Sequence, residues 1–391
     1  MTERIYLDHH STTPCDARVA ATMQRMLVEQ FGNASSGHVY GQEAAEAVKT
    51  AAEQLAGGLG ATAPEFVFTS GATESNCLAL FGVCLHPRQR RRKIVTAATE
   101  HPAVLDPLAR LAREGFTVVR VPPYPQGHPQ AGQVDQARLL AEIDDQTALV
   151  SIMWANNEIG TIQPLEAIAQ RCEHSGALLH CDATQAVGRV PVRLDQVKVD
   201  LLSGSAHKFY GPMGVGFLYV RHTGKRIRLR PLVEGGGQQQ GLRSGTLNVP
   251  GIVAMGHALQ ICLASLETDA KRIAALRDRL CSALRDAIPD VRLNGSALDA
   301  GRLPGNLNVR FPLVEGEALM AATPSVACSS GSACSSVKPE PSHVLLALGC
   351  SEAEARSSLR FGVGRTTTEA QIDAAAERLA ASWQRLRSMM S

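Results

Sequence analysis

The 391-residue chain has few aromatic residues, little net charge and no long apolar run. Aromatic side chains make up 4% of it and the formal net charge is +2, so it lacks the stacking platforms and basic surface of nucleic-acid-binding proteins. Its apolar runs, such as ALVSIMW at 148–154, are too short to cross a bilayer, and the N-terminal MTERIYLDHH is too polar for a signal peptide. We therefore expect a cytoplasmic protein without direct contact to nucleic acid or membrane.

The ten cysteines also lack the spacing of a metal site or a disulfide framework. No C-x-x-C pair occurs, and a chain of this length does not need disulfides to hold its core. We expect reduced thiols, no metal, and one or two cysteines with a chemical role. Cys334 stands out because SSGSACSS at 329–336 surrounds it with small residues, and a reactive thiol needs such exposure.

Short apolar segments alternate with helical segments and predict an α/β fold with a mainly parallel sheet. The predicted strands are EFVFTS, KIVTAA, FTVVRV, TALVSIMW, ALLHCDA, VDLLSGS and GVGFLYV. These seven strands form a predicted large domain at 15–255, with ligands beyond their carboxyl ends. Residues 1–14 and 256–391 form a predicted smaller α/β domain, with the Cys334 loop at about 325–340. An early amphipathic helix is predicted to end at GG, 57–58, and the last helix to begin with a capping box from Thr368 to Gln371.

Three polar segments follow predicted strands, and each has two interpretations. TSGATES at 69–75 is either an ordinary helix N-cap or a helix start that binds a phosphate. Asp182, in LLHCDATQAVG, is either a turn residue or an acid aimed at a charged ring nitrogen. Lys208, in SGSAHKFYGPMGVG, is either a surface charge or the amine of a Schiff base. Together they are what pyridoxal 5'-phosphate (PLP) requires.

The sequence resembles, nearly end to end, the cysteine desulfurases of the NifS/IscS type, a family of fold-type I PLP enzymes. The matching motifs are YLDHHSTTP (6–14), FGNASSGH (31–38), TSGATES (69–75), TEHPAVL (99–105), NNEIGTIQP (156–164), SAHKFYGP (205–212), LRSGTLNVP (242–250), SSGSAC (329–334) and SSLRFGVGR (357–365). The resemblance implies a fold-type I fold, a homodimer, and sulfur transfer from L-cysteine to a sulfur-acceptor protein. The acceptor stays open among iron-sulfur cluster scaffolds, tRNA-thiolation proteins and DNA-phosphorothioation systems.

The resemblance also implies residue roles. Lys208 would bind the PLP aldehyde and later move the Cα proton, while His101 would stack on the ring and exchange protons near the substrate sulfur. Cys334 would attack the sulfur of the bound cysteine, giving alanine and an enzyme persulfide. Asn157 and Arg360 would grip the substrate carboxylate, with the arginine suited to a bidentate contact. Further cofactor contacts would come from Ala72, Thr73, Asn157, Asp182, Gln185, Ser205 and His207, with Thr246 reaching in from the neighbouring subunit.

Alternatives exist for the activity and for two further features. A related fold-type I lyase or aminotransferase would share Lys208 and Asp182 but would not need the Ser-rich segment. A sulfur-system scaffold with a vestigial PLP site is expected to have lost such residues, and none is lost. Cys328 is either packed apolar filler or a second, resolving thiol. The basic run RQRRRK at 88–93 is either a solvated turn or a docking patch for an acidic partner.

Overall fold

Short strands alternate with helices along most of the chain, in a computed structural model that describes residues 3–224, 226–299, 301–330 and 340–390. The strands are β1 (Ile5–Tyr6), β2 (Phe66–Thr69), β3 (Lys93–Ala97), β4 (Thr117–Val121), β5 (Thr147–Ser151), β6 (Leu178–Asp182), β7 (Leu201–Ser205), β8 (Gly216–Val220), β9 (Arg292–Leu293), β10 (Asn306–Arg310), β11 (Val326–Ala327) and β12 (Ser358–Gly362). The helices are α1 (Ala17–Val28), α2 (Val39–Leu59), α3 (Ala72–Cys84), α4 (Pro102–Arg113), α5 (Gln136–Glu142), α6 (Leu165–Ser175), α7 (Val249–Ala264), α8 (Leu266–Ala287), α9 (Gly316–Ala322), α10 (His343–Ala347), α11 (Glu352–Arg356) and α12 (Glu369–Met390).

The largest sheet has seven strands in the order β2-β8-β7-β6-β5-β3-β4. Neighbouring strands from β7 to β4 are parallel, whereas β8 is antiparallel to both β2 and β7. Each predicted strand segment contains one of these strands, so the mainly parallel seven-stranded sheet is confirmed. The central strands β5, β6 and β7 are buried along their whole length, as expected when both faces of a parallel sheet are covered.

Two apolar clusters cover the faces of this sheet. Because successive side chains of a strand point to opposite faces, Phe66 and Phe68 join one cluster and Val67 joins the other. Helix α7 packs against α1 and α2 and contributes Leu259 and Cys262 to the larger cluster. The core is therefore continuous from the sheet to α7.

A smaller antiparallel sheet, β12-β10-β9, has its own core. Helices α8 and α12 supply apolar residues to this core, and Ile5 and Leu7 join them from the N-terminus. The predicted division into 15–255 and 1–14 plus 256–391 stays a prediction. The two cores support it, and we propose that the boundary lies at the 73° bend between α7 and α8, because Cys262 still packs in the large core. Within the described ranges no single helix is long and apolar enough to cross a bilayer, and only the bent α7–α8 pair passes on length and composition.

Two helix ends test the sequence signals. Gly57 and Gly58 do not end α2, which runs to Leu59 and is followed by Gly60 at a φ of 72°. The prediction was wrong because a Cβ on Gly58 would lie 2.6 Å from Leu263, so this glycine allows close helix packing instead. The capping box before α12 is confirmed: the backbone N–H of Gln371 bonds the Thr368 hydroxyl, and its side chain accepts from the backbone N–H of Thr368.

Residues of the basic run at 88–93 form hydrogen bonds and ion pairs with neighbouring parts of the large domain. Arg91 donates to the backbone oxygen of Thr147, and Lys93 forms ion pairs with Glu142 and Asp144. These contacts fix the turn before β3, which favours the solvated-turn interpretation over a docking patch.

Candidate active site

A cavity of about 990 Å³ lies beyond the carboxyl ends of the parallel strands, where ligands bind in open α/β sheets. Its wall contains the predicted site residues Ala72, Thr73, His101, Asn157, Asp182, Gln185, Ser205, His207, Lys208 and Arg360. Thr246 is exposed and does not line it, and Cys334 lies outside the described residues. The motifs thus converge on one cavity although they are spread over most of the chain.

The start of α3 has the features of an anion site. Gly71 precedes the helix at a φ of 154°, which favours glycine, and among the described residues no side chain caps the first N–H groups of the helix. The Ser205 hydroxyl lies 3.6 Å from where a Cβ of Gly71 would be. Glu74, in the first turn, is neutralised by Arg243 at 2.8 Å. Uncapped N–H groups at the positive end of a 13-residue helix favour the phosphate interpretation over an ordinary N-cap.

Asp182 ends β6 with both carboxylate oxygens held. Asn76 Nδ2 donates to Oδ2 at 2.8 Å, and the backbone N–H of Thr184 donates to Oδ1 at 3.0 Å. The carboxylate is buried at the cavity wall, where it suits a protonated ring nitrogen. Sequence reasoning missed Asn76, although its position one helical turn after Ala72 is a usable signal.

Lys208 follows β7 on a short 3-10 turn, Ala206–Lys208. Its Nζ donates to the backbone oxygens of His10 at 2.7 Å and Ser11 at 2.5 Å. Burial, and then the positive charges of Arg189 and Arg360, lower the pKa of Lys208 to about 7. Such an amine is substantially unprotonated near neutral pH, the form that attacks an aldehyde, so the geometry favours the Schiff-base interpretation.

A buried network behind Lys208 was not predicted. Arg189 donates to His10 Nδ1 at 2.6 Å, to Gln185 Oε1 at 3.0 Å and to the backbone oxygen of Lys208. Gln185 Nε2 donates to the backbone oxygen of His10 at 2.9 Å, which leaves one of its two amide protons for another partner. His10 belongs to YLDHHSTTP, so the motif was recognised while the role of this residue was not.

Arg360, on β12, is buried at the cavity and already has partners. Its Nη2 contacts Asp8 Oδ1 at 2.9 Å and the hydroxyls of Ser11 and Ser329 at 3.2 and 3.1 Å. Its Nη1 donates to the backbone oxygen of Asn157 at 3.1 Å. A bidentate grip on a substrate carboxylate therefore requires Nη2 to exchange at least one of its acceptors.

His101 and Cys328 have well-defined surroundings. His101 is the N-cap of α4, where its Nδ1 accepts the N–H of Ala103 at 3.0 Å, and burial lowers its pKa. Cys328 packs against the small core, and burial raises its pKa to about 12. This supports the apolar-filler interpretation of Cys328. Within the described ranges, no group of three or more His, Cys, Asp or Glu side chains is arranged to hold a metal ion.

The residues around the cavity fit PLP. The uncapped start of α3 suits its phosphate, the Asp182 carboxylate its ring nitrogen, and the Lys208 amine its aldehyde. All three groups lie on one cavity wall, formed by the ends of β2, β6 and β7.

Comparison with known proteins agrees with this fit. The family model for class-V aminotransferases matches residues 5–375. Cysteine desulfurase IscS of Anaeromyxobacter sp. (strain Fw109-5) is 47% identical over 386 residues, covering 98% of this chain and 94% of the relative. A solved NifS-like protein has a TM-score of 0.88 at 36% identity, covering 97% of this chain and 98% of that one. SspA, solved in complex with cysteine, has a TM-score of 0.81 at 32% identity, covering 93% of this chain and 100% of that one. The chain therefore belongs to the class-V aminotransferase family and, within it, to the PLP-dependent cysteine desulfurases of the NifS/IscS type.

Proposed function

We propose that this protein removes the sulfur atom of L-cysteine, releases L-alanine and holds the sulfur as a persulfide on Cys334. The observation that carries the proposal is the single cavity that contains Lys208, Asp182 and Arg360. PLP, when bound, withdraws electrons from the substrate carbons. A vestigial site would not be expected to keep the amine, the acid and the guanidinium together.

Asp182, Lys208 and Arg360 have different roles in this reaction. Asp182, held by Asn76 and Thr184, keeps a negative charge at the ring nitrogen. The Lys208 amine would bind the PLP aldehyde and would move the Cα proton of the substrate, for which a pKa of about 7 is suitable. Arg360 orients the substrate carboxylate together with Asn157.

Sulfur transfer itself needs a thiol. The Cys334 sulfur attacks the substrate sulfur, an S–S bond forms, the C–S bond breaks, and its electron pair stays on the carbon, which then takes a proton. L-Cysteine and a thiol thus give L-alanine and a persulfide, with no other oxidant or reductant. None of the nine cysteines in the described ranges lines the cavity, which supports Cys334 as the acceptor.

The same proposal includes a homodimer in the cytoplasm that passes its sulfur to an acceptor protein. Exposed Thr246 would complete the phosphate site of the partner copy. An exposed apolar patch at the end of α1 and the start of α2 supports such an interface. Its members are Leu27, Val28, Phe31, Val39 and Tyr40, with the rings of Phe31 and Tyr40 stacked at 5.6 Å.

The test is a single turnover with L-cysteine, followed by mass spectrometry of the peptide that carries both thiols and by assay of alanine. We expect one added sulfur atom on Cys334. Cys334→Ser should keep the cofactor but gain no sulfur and release almost no alanine, because a hydroxyl is not a thiolate nucleophile at neutral pH. The matched control Cys328→Ser should form the persulfide normally. Sulfur on Cys328, with Cys334→Ser still active, would overturn the assignment.

A further inference from the structure

The anion site at the start of α3 contains a carboxylate, although the phosphate that it suits is itself an anion. Glu74 is the third residue of α3, and its side chain lines the cavity next to Gly71, Ala72 and Thr73. An uncompensated negative charge at this position would repel a phosphate and weaken its binding. The carboxylate must therefore be useful to the site in another way, and its charge must be offset.

Glu74 holds the turn that precedes the helix. Its Oε2 accepts the backbone N–H of Ser70 at 2.7 Å, a bond similar to the one that the carboxylate of a capping box makes to the backbone before a helix. The N–H groups of Ala72 and Thr73, one step further along, have no acceptor among the described residues. The Glu74 side chain thus fixes the backbone of the turn and leaves the helix N–H groups available to a ligand.

Arg243 offsets the charge of this carboxylate. Its Nε lies 2.8 Å from Glu74 Oε1 and its Nη2 lies 3.5 Å from Oε2, and both side chains are partly buried. Although burial opposes ionisation, hydrogen bonds from Arg243 and Ser70 lower the pKa of Glu74, which is therefore ionised at neutral pH. Solvent screens such a pair less than an exposed one, so the loss of either charge should be felt at the anion site.

The loop that carries Arg243 is attached to the same part of the sheet. The Gln239 side chain accepts the backbone N–H of Phe68 at 2.6 Å and donates to the backbone oxygen of Phe68 at 2.9 Å. Gln239 Nε2 also lies 3.4 Å from the backbone oxygen of Arg243. Because Phe68 belongs to β2, the strand that leads into the Ser70 turn, Arg243 should stay beside Glu74 even when its charge is removed.

We propose that Glu74 and Arg243 form a positioning pair for the cofactor phosphate, in which the carboxylate orders the turn at 70–73 and the guanidinium cancels its charge. Arg243 acts through Glu74 and needs no contact with the phosphate. The pair thereby favours the phosphorylated form of the cofactor over the unphosphorylated form. This inference deepens the proposed function and rests on its placement of the phosphate at the start of α3.

Binding of PLP to the cofactor-free protein tests the charge of the pair. Arg243→Gln leaves the Glu74 charge without its partner and should raise the Kd for PLP by about tenfold or more. Glu74→Gln in the same chain removes the repelling charge, and its amide oxygen is still able to accept from Ser70. This double variant should bind PLP within about threefold of the unmodified protein, a non-additive result that a charge effect predicts. Arg243→Lys keeps the charge and should remain in the same range.

Pyridoxal, which has the same ring and aldehyde but no phosphate, separates a charge effect from damage to the site. Its affinity should be equal in Arg243→Gln and in the unmodified protein. The absorbance change on covalent capture by Lys208 reports the binding of both ligands without turnover. The matched control is Arg279→Gln, which breaks an exposed ion pair with Asp373 between α8 and α12 and should leave the Kd for PLP unchanged.

The outcomes separate the pair from the proposed function. An unchanged Kd for PLP in Arg243→Gln overturns the role of the pair, and so does a double variant that binds PLP no better than Arg243→Gln. A parallel loss of pyridoxal binding would also overturn it, because the site would then be damaged rather than repelling. If the variants behave as expected but the unmodified protein forms no alanine from L-cysteine, the proposed reaction falls and the role of the pair stands.

Discussion

The cavity has two walls, which differ in how far their polar groups already have side-chain hydrogen-bond partners. The cofactor wall consists of the start of α3, Asp182 and Lys208, and the carboxylate wall consists of Arg360, Ser11 and Ser329. Asp8 forms an ion pair with Arg360 but does not itself line the cavity. Within the described part of the chain, the first N–H groups of α3 have no side-chain cap and the Lys208 amine bonds only backbone oxygens. On the carboxylate wall Arg360 already has an ion pair and two hydroxyl contacts.

This difference matches the residence time of the two ligands. PLP stays through many turnovers, so its wall leaves groups open to receive it. The substrate carboxylate arrives and leaves in every cycle, and a buried guanidinium without a partner in between would be costly. Asp8 and the two serines satisfy Nη2 of Arg360, whereas its buried Nε has no partner among the described residues, and the substrate must exchange with the partners of Nη2. We therefore expect changes on the cofactor wall to abolish function and changes on the carboxylate wall to tune it.

The largest expected effect is at Lys208. Lys208→Ala should lose the covalent bond to PLP and reduce alanine formation by roughly 10³-fold or more, because the amine that binds the aldehyde and moves the Cα proton is gone. Borohydride reduction followed by peptide mapping measures the bond. Lys198→Ala, an exposed lysine paired with Glu173, is the control. A reducible linkage that persists in Lys208→Ala would mean that the cofactor wall is misassigned.

Arg360→Ala tests whether the two walls act independently. Loss of a charge-assisted contact in a buried site costs about 2–5 kcal/mol, which predicts a roughly 30- to 5,000-fold fall in kcat/KM for L-cysteine. PLP content should not change, since no cofactor contact is assigned to Arg360. Arg360→Lys keeps a charge for Asp8 and should lie between the two. An unchanged dependence of turnover on cysteine concentration would remove Arg360 from substrate binding, and a parallel loss of PLP would show that the walls are coupled.

The fold was largely readable from the sequence because strand segments bounded by helices carry a local signal. All seven strands of the large sheet lie inside their predicted segments. The predicted end of α2 at residues 57–58 was wrong. At Gly58 a glycine is needed because a Cβ would lie too close to Leu263, which is more than 200 residues away in the chain. Glycine marks both helix ends and close packing, and local sequence does not separate the two.

The sequence motifs predicted which residues form the site but not which contacts these residues make. Motif matches selected the residues that meet at the cavity, but the state of Arg360 depends on Asp8, which is 352 residues away in sequence. The Nδ1 lone pair of His101 likewise accepts a hydrogen bond from the helix that this residue caps. These hydrogen bonds depend on residues that are close in space, so residue type alone could not predict which partners an imidazole or a guanidinium has.

The pH dependence of PLP capture tests how open the cofactor wall is. Burial lowers the pKa of Lys208 from 10.5 to about 7, so the reactive amine fraction rises about tenfold per pH unit below 7 and levels off just above it. The rate of covalent capture by the cofactor-free protein, followed by absorbance, should show this plateau. For Nα-acetyl-lysine, whose side-chain amine has an ordinary pKa, the rate should continue to rise towards pH 10 under the same conditions. A protein rate that keeps rising with the model compound would contradict a buried, readily deprotonated Lys208.

The smallest expected effect has the most informative sign. Ser329→Ala removes one acceptor from Arg360 Nη2 and one donor to Asp8 Oδ1 but keeps the two backbone hydrogen bonds that Ser329 forms with Arg360. If the partners of Arg360 compete with the substrate carboxylate, the loss of this acceptor should lower the KM for L-cysteine a few-fold, in line with about 1 kcal/mol for one hydrogen bond. If Ser329 instead aims the guanidinium, KM should rise by a similar factor. Ser388→Ala, in the exposed last turn of α12, serves as the comparison. A rise in KM would mean that the partners of Arg360 orient it for the substrate, so that the carboxylate wall does not compete with substrate binding.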